Sequence, residues 1–295
     1  MSLRGVVPPL VTPFREGGAL DRQGLEENLE SLKRHRFAGF LVLGSSGEAQ
    51  SLDEDEKLAL IATARRCLAG RFLLAGTGME STQATIALTR KAADQGIDAA
   101  LVLTPHYYRT RMTDEALRRH FEAVADASPV PVYLYSVPAF TGLPWPAGLA
   151  ETLAGHPRIV GIKESSGDVG LLSRIVDGVP PSFEVACGSA AVFYPSLCTG
   201  ASGGVLGIAN CLPDVTTALY DAVLDGDHGR ARRLQAALLP LASAVSSRWG
   251  VAGLKAGMDE AGLRGGVLRA PLLPVTDPER DEIRSLLAAA RAALA

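Results

Sequence analysis

Five lysines stand in this chain of 295 residues, Lys33, Lys57, Lys91, Lys163 and Lys255, although Lys and Arg together number 29. One of them is placed for chemistry. Lys163 closes the run Ile159-Val160-Gly161-Ile162, so an apolar strand delivers an amine to its own C-terminal end. Lysine is almost never fully buried unless paired, and apolar surroundings favour the neutral amine, which can attack a ketone to form a Schiff base. The competing reading is that Lys163 reaches solvent or pairs with a carboxylate, and periodicity leaves both open. Lys33 beside Arg34, Lys57 after four acidic residues and Lys91 after Arg90 read as solvated surface. Lys255 reads as peripheral, away from any strand end.

A Schiff-base enzyme also needs a proton shuttle and a hold on its substrate. Tyr135 can move protons through its phenol, or simply line a core. Gly44-Ser45-Ser46-Gly47 offers small hydroxyls and backbone N–H groups ahead of a helix. That is either an anion cradle of carboxylate size or a capped tight turn. Glu48 reads as part of that turn's hydrogen bonding.

These residues need elements to place them. Apolar runs ending in Gly, Ser, Thr or Pro predict strands at Val6–Val11, Gly39–Leu43, Phe72–Ala75, Ala99–Leu103, Val132–Tyr135, Ile159–Lys163, Glu184–Cys187 and Gly204–Ile208. Their continuous apolar character indicates a parallel sheet covered on both faces. Helix starts are legible at Asp53-Glu54-Asp55-Glu56, Ser81-Thr82 and Thr113-Asp114-Glu115, with Gly96 and Gly178 as stops. The alternation predicts a (β/α)8 TIM barrel, with an open doubly wound sheet as the competing pattern. Helices at Asp227–Ser246, Ala252–Ala261 and Pro278–Leu294 form a C-terminal three-helix extension, its apolar faces free to cover the barrel or a neighbouring subunit. Residues 1–225 are thus the expected barrel, and 226–295 an extension of the same domain. In such barrels the chemistry gathers at the C-terminal strand ends. Lys163, Tyr135, the Gly44–Glu48 turn, Tyr107 and Cys187-Gly188-Ser189 all fall there.

Composition removes other classes. With 47% hydrophobic and 21% charged residues the chain can bury a core. A net charge of −3 supplies no basic field for nucleic acid or an anionic membrane. Four scattered cysteines and five histidines make no ligand spacing, so no metal is expected. Cys187, Cys198 and Cys211 read as buried free thiols. No apolar run is long enough for a membrane span, and the proline-broken start lacks a secretory h-region. A cytoplasmic protein is expected. Gly76-Thr77-Gly78 lacks the third glycine of a dinucleotide fingerprint. Gly200-Ala201-Ser202-Gly203-Gly204 has no adjacent cation and reads as close backbone packing.

The motifs Gly-Ser-Ser-Gly-Glu at 44–48, Tyr-Ser-Val-Pro-Ala-Phe-Thr-Gly at 135–142, Gly-Ile-Lys-Glu-Ser-Ser-Gly-Asp at 161–168 and Gly-Ala-Ser-Gly-Gly-Val at 200–205 stand in fixed order. Together they resemble the dihydrodipicolinate synthase / N-acetylneuraminate lyase superfamily of class I aldolases over essentially the whole chain. The segments at 74–85, 107–112 and 134–138 look most like the 4-hydroxy-2-oxoglutarate aldolase branch. The resemblance implies cleavage of a 2-oxoacid to pyruvate and an aldehyde, glyoxylate in that branch, with no cofactor. It makes Lys163 the Schiff-base residue and Tyr135 the proton relay, aided by Ser45. Tyr107 matches a tyrosine that many members contribute from a neighbouring subunit, which implies a homotetramer, a dimer of dimers. Ser46 matches the pyruvoyl-carboxylate site, where animal enzymes have Asn. Ser165 and Ser189 match positions near the second carboxylate, and Gly188 and Val205 complete the expected substrate-binding set.

Phe140 departs from the pattern, because lysine-biosynthetic members carry Arg there and a phenyl ring makes no bidentate contact. The expected alternatives are 4-hydroxy-tetrahydrodipicolinate synthase, joining pyruvate to aspartate semialdehyde, and a 2-keto-3-deoxy sugar-acid aldolase or dehydratase. A barrel also supports non-catalytic roles. A regulatory protein that binds a 2-oxoacid without forming an imine is the reading from another class.

Overall fold

The computed structural model describes residues 2–294; Met1 and Ala295, which the bounds 1–225 and 226–295 include, lie outside the described residues. Eight parallel strands are present: β1 (Val6–Val7), β2 (Gly39–Val42), β3 (Phe72–Gly76), β4 (Ala99–Leu103), β5 (Val132–Ser136), β6 (Ile159–Glu164), β7 (Glu184–Cys187) and β8 (Gly203–Val205). Neighbours pair in sequence order from β2 to β8, and β8 pairs with β1. The seam between β1 and β2 is bridged by three backbone bonds. Ala38 N–H donates to Val6 C=O at 2.9 Å, Leu41 N–H to Pro8 C=O at 3.1 Å, and Leu10 N–H to Leu41 C=O at 2.7 Å. This is the expected (β/α)8 TIM barrel with its C-terminal helices.

Three strands are shorter than expected, and β2 ends at Val42 because Leu43 takes a positive φ of 56°. Pro8 and Pro9 have no N–H for the ladder, so β1 ends at Val7 rather than Val11. β8 ends at Val205 because Gly207–Asn210 coils into a 3-10 turn.

Side chains alternate across the strands, interrupted in β6 by a register shift opposite Val132/Tyr133. One set fills the barrel interior: Val7, Leu41, Leu74, Leu101, Tyr133, Tyr135, Ala186 and Val205 belong to one cluster. The other set packs outward against the helices in a second, larger cluster. The barrel floor is closed by Glu184, which accepts the Leu3 N–H at 2.7 Å and the Tyr133 hydroxyl at 2.8 Å. Close packing at the 200–204 glycines is also observed. A Cβ on Gly203 would lie 2.2 Å from the Gly5 carbonyl oxygen.

The helix starts follow the sequence. Asp53 and Glu56 form a capping box, and Ser81 and Thr113 accept from the N–H groups of Ala84 and Ala116. Gly96 takes the left-handed conformation expected past a helix end, φ +88°. Gly178 does not act that way. It is the last residue of its helix, where a Cβ would lie 2.6 Å from Glu151 Cγ, and the chain leaves through Val179 in extended form.

The extension comprises helices His228–Ala244, Gly250–Glu260 and Asp277–Ala292, the first two joined by a π-helical turn at Val245–Trp249. Leu234, Leu238, Leu241, Leu254, Ile283 and Leu287 enter the same apolar cluster as the barrel helices, so these faces cover the chain's own barrel. Two lysine expectations and one cysteine expectation fail. Lys57 and Lys255 are buried, Lys255 against Glu48 and Phe14 from far earlier in the chain, and Cys198 is exposed. No described helix is long and apolar enough to cross a membrane. Among the described residues no His, Cys, Asp or Glu cluster has a metal-holding arrangement.

Candidate active site

The reactive end of the barrel is arranged by register. Tyr133 on β5 faces Gly161 on β6, and one layer higher Tyr135 faces Lys163. A side chain at 161 would overlap the Tyr133 ring, since a Cβ there would lie 2.7 Å from Tyr133 Cε1. Gly161 therefore lets the Tyr133 ring fill the barrel, and the next inward position on β6 emerges above it. Lys163 occupies that position, 4% exposed, with its Nζ 4.1 Å from the Tyr135 ring centroid. The ring face attracts an ammonium and also packs against a neutral amine.

Neither competing reading of Lys163 holds: it does not reach solvent, and no carboxylate lies within ion-pair distance of it among the described residues. Glu164, the next residue, points to the other face of β6, as alternation requires. It accepts the Ser166 N–H at 2.9 Å and the Ser136 hydroxyl at 3.5 Å, and burial pushes its carboxyl above the usual range.

The turn after β2 brings hydroxyls to the same mouth. Ser45–Gly47 forms one 3-10 turn, and Ser45 Oγ stands 3.5 Å from Tyr135 Oη. The cleft above Lys163 is lined by Ser45, Ser46, Tyr135, Phe140, Ser165, Gly188, Ser189 and Val205, together with residues of the C-terminal helices. Among the described lining residues Lys163 is the only one with a formal charge. An amine, a phenol and several hydroxyls around one small cleft suit attack on a ketone whose carboxylate is held by hydroxyl donors.

A profile of the Dihydrodipicolinate synthetase family matches residues 2–290. The chain belongs to that family. It is 38% identical over 271 residues to a 4-hydroxy-tetrahydrodipicolinate synthase of Exiguobacterium sibiricum, covering 92% of each chain. A solved 4-hydroxy-tetrahydrodipicolinate synthase from Methylacidiphilum fumariolicum superposes with a TM-score of 0.93 at 30% identity, over 99% of this chain and 97% of that one. YagE, a prophage protein of the dihydrodipicolinic acid synthase family from E. coli K12, solved in complex with pyruvate, gives a TM-score of 0.92 at 29% identity over 99% of each chain. Members of this family are pyruvate-dependent lyases and synthases, and the chain is an enzyme of that Schiff-base class.

Of the ten residues singled out by sequence, nine line the one cleft: Lys163, Tyr135, Ser45, Ser46, Ser165, Ser189, Phe140, Gly188 and Val205. Tyr107 does not. It is 75% exposed, stacked edge-on with Tyr108, and its N–H donates to Glu80 at 2.8 Å. Phe140 lies at the rim, 66% exposed. Sequence reasoning missed the roof of the cleft, where Ala242, Val245, Ser246, Gly250, Val251 and Leu254 bring the π turn and the following helix over Lys163. The available signal was Gly250 within an otherwise helical stretch, a place where helices bulge.

Proposed function

We propose that this chain forms an imine between Lys163 and the C2 carbonyl of pyruvate, or of a 2-oxoacid containing the pyruvoyl group. It then makes or breaks a carbon–carbon bond to an aldehyde. The observation that supports this most directly is Lys163 itself, a buried amine with no carboxylate partner among the described residues, packed on the Tyr135 ring whose hydroxyl faces Ser45. The amine nitrogen adds to C2, a proton reaches the carbonyl oxygen, and water leaves the carbinolamine to give an iminium. For synthesis, loss of a C3 proton gives an enamine, which attacks the aldehyde carbon. For cleavage, the C4 hydroxyl gives its proton to the relay, the electrons of the C3–C4 bond flow into the iminium, and the aldehyde departs. Protonation at C3 and hydrolysis then return pyruvate and the free amine. Tyr135 with Ser45 relays the protons, and Ser45 and Ser46 hold the carboxylate. Tyr107 joins the relay from a second copy in a homotetramer. Residues 1–225 and 226–295 act as one domain, in the cytoplasm.

For the aldehyde half, the synthase name borne by the relatives favours 4-hydroxy-tetrahydrodipicolinate synthase, with aspartate semialdehyde as partner, over the 4-hydroxy-2-oxoglutarate aldolase suggested by sequence motifs. A second reading, a 2-keto-3-deoxy sugar-acid aldolase or dehydratase, draws support from one observation. The cleft offers hydroxyls from Ser165, Ser189 and Ser246 but no described cation besides Lys163 for a second carboxylate.

Incubation with pyruvate and borohydride should leave a reduced adduct on the Lys163 peptide, read by mass spectrometry. An unmodified peptide under saturating pyruvate sinks the imine mechanism. A panel of pyruvate with aspartate semialdehyde, 4-hydroxy-2-oxoglutarate and 2-keto-3-deoxygluconate then ranks the second halves. Best turnover of 4-hydroxy-2-oxoglutarate would restore the aldolase.

A further inference from the structure

Two non-glycine residues have positive φ among the described residues, Leu43 at 56° and Glu48 at 52°. They bracket the Gly44–Gly47 turn that presents Ser45 and Ser46 to the cleft. Such backbone is sparsely populated and persists only where surrounding contacts hold it. At the Glu48 end those contacts come from far along the chain.

The left-handed backbone at Glu48 turns its carboxylate inward, with the residue 5% exposed. Glu48 Oε1 lies 2.5 Å from Lys255 Nζ, and these side chains are 1% and 3% exposed. The Arg269 N–H donates to Glu48 Oε2 at 3.1 Å. Lys255 Nζ also donates to the Val267 carbonyl at 2.6 Å and stands 4.6 Å from the Phe14 ring centroid. Burial lowers the Lys255 pKa, and Glu48 acts in the opposite direction. Beside Glu48, the Gly47 carbonyl accepts the Thr12 hydroxyl at 2.7 Å. Lys255 directly follows Leu254, which lines the cleft. One helix thus forms part of the roof above Lys163 and anchors the turn that faces it.

A buried ion pair is a poor device for stability alone, since apolar residues of the same volume often do as well. It does fix direction, because a carboxylate and an ammonium without solvent have few other arrangements. We propose that Lys255 and Glu48 are positioning residues that hold the strained Ser45–Ser46 turn in its substrate-binding geometry, tying 2-oxoacid affinity to the C-terminal helices. This inference rests on the imine reading of Lys163 above.

The test uses the full chain and the dependence of borohydride trapping on pyruvate concentration. The double variant Lys255→Met/Glu48→Gln removes both charges without leaving one buried alone. It should raise the half-saturating pyruvate at least tenfold and leave the maximal trapping rate within threefold. Glu48→Gln alone keeps one acceptor oxygen where Glu48 has two, so either Lys255 or the Arg269 N–H loses its acceptor, and half-saturation should shift two- to fivefold. A folded double variant, judged by circular dichroism, with half-saturation within twofold of the natural chain overturns the proposal. So does a fall in maximal rate with half-saturation unmoved. If the double variant does not fold, unchanged half-saturation in Glu48→Gln overturns it equally. Failure of the imine reading is distinct, because the natural chain itself would then trap no pyruvate.

Discussion

Ser45 Oγ and Tyr135 Oη stand 3.5 Å apart, from the turn after β2 and the end of β5, and both residues line the cleft that holds Lys163. The Tyr135 ring packs against Lys163 and its hydroxyl faces the serine, so one side chain does two separable things. Tyr135→Phe keeps the ring and removes only the hydroxyl. If the phenol relays protons, turnover falls by about 10²–10⁴-fold, while thermal stability changes by only about 1 kcal/mol. Steady-state kinetics beside a melting curve checks both, and turnover within threefold of the natural chain would take the relay away from Tyr135.

Phe140, which the motif resemblance matches to an arginine of lysine-biosynthetic enzymes, is exposed at the rim of a cleft whose only described charge is Lys163. An exposed site accepts a guanidinium with little strain. Phe140→Arg should therefore improve kcat/KM for aspartate semialdehyde by roughly tenfold or more, since a charge-assisted hydrogen bond contributes about 1.5–3 kcal/mol. Pyruvate trapping on Lys163 should stay unchanged. Equal kinetics for the two proteins would mean that the second carboxylate, if there is one, is held elsewhere.

The strand ends were legible because each requirement there is local. The apolar run Ile159–Ile162 marks β6 and sets Lys163 near its C-terminal end, but its inward direction does not follow by counting, because a register shift opposite Val132/Tyr133 leaves Ile159 and Ile162 in the same outer cluster. Lys255 shows where such reasoning stops. Nothing near it in sequence announces burial, since its partners are Glu48, Phe14 and Val267, and Glu48 and Phe14 lie more than 200 residues away in sequence. Lys57 fails for a related reason, being enclosed by surfaces that meet only in the folded chain. Tyr107, 75% exposed, lies outside the cleft of its own chain, which accords with the proposal that it serves a second copy. The roof of the cleft was missed because a π turn is a backbone event with a weak side-chain signature.

Gly188 tests the aldehyde end of the cleft separately. A Cβ at this position would lie 1.7 Å from Ser165 Oγ, a buried hydroxyl with no hydrogen-bond partner. Gly188→Ala forces that hydroxyl to another rotamer and, because the new Cβ would also lie 2.8 Å from Ser165 Cβ, pushes Ser165 itself aside. If Ser165 meets the aldehyde half, KM for that substrate should rise about tenfold, the cost of roughly 1.4 kcal/mol of lost contact. Half-saturating pyruvate in the trapping experiment should hold steady. A parallel loss for both substrates would instead assign Gly188 to the pyruvoyl end.

His120 lies in the outer layer and gives the fold a pH dependence of its own. Its Nδ1 is 2.9 Å from Thr82 Oγ1, its Nε2 is buried without a partner, and its ring meets Phe121 edge-on. Burial lowers its pKa from 6.5 to about 4, with the Glu80 charge acting weakly the other way. The folded chain thus refuses a proton that the unfolded chain accepts. The stability this neutral ring contributes is complete above pH 6.5 and is lost as pH falls toward 4. The loss amounts to about 3 kcal/mol in full and about 2 kcal/mol by pH 5. Urea midpoints at pH 7 and pH 5 should fall further apart in the natural chain than in His120→Gln, whose amide does not titrate and can still meet Thr82. Equal separations in the two proteins would mean that the ring takes up its proton without disturbing the fold.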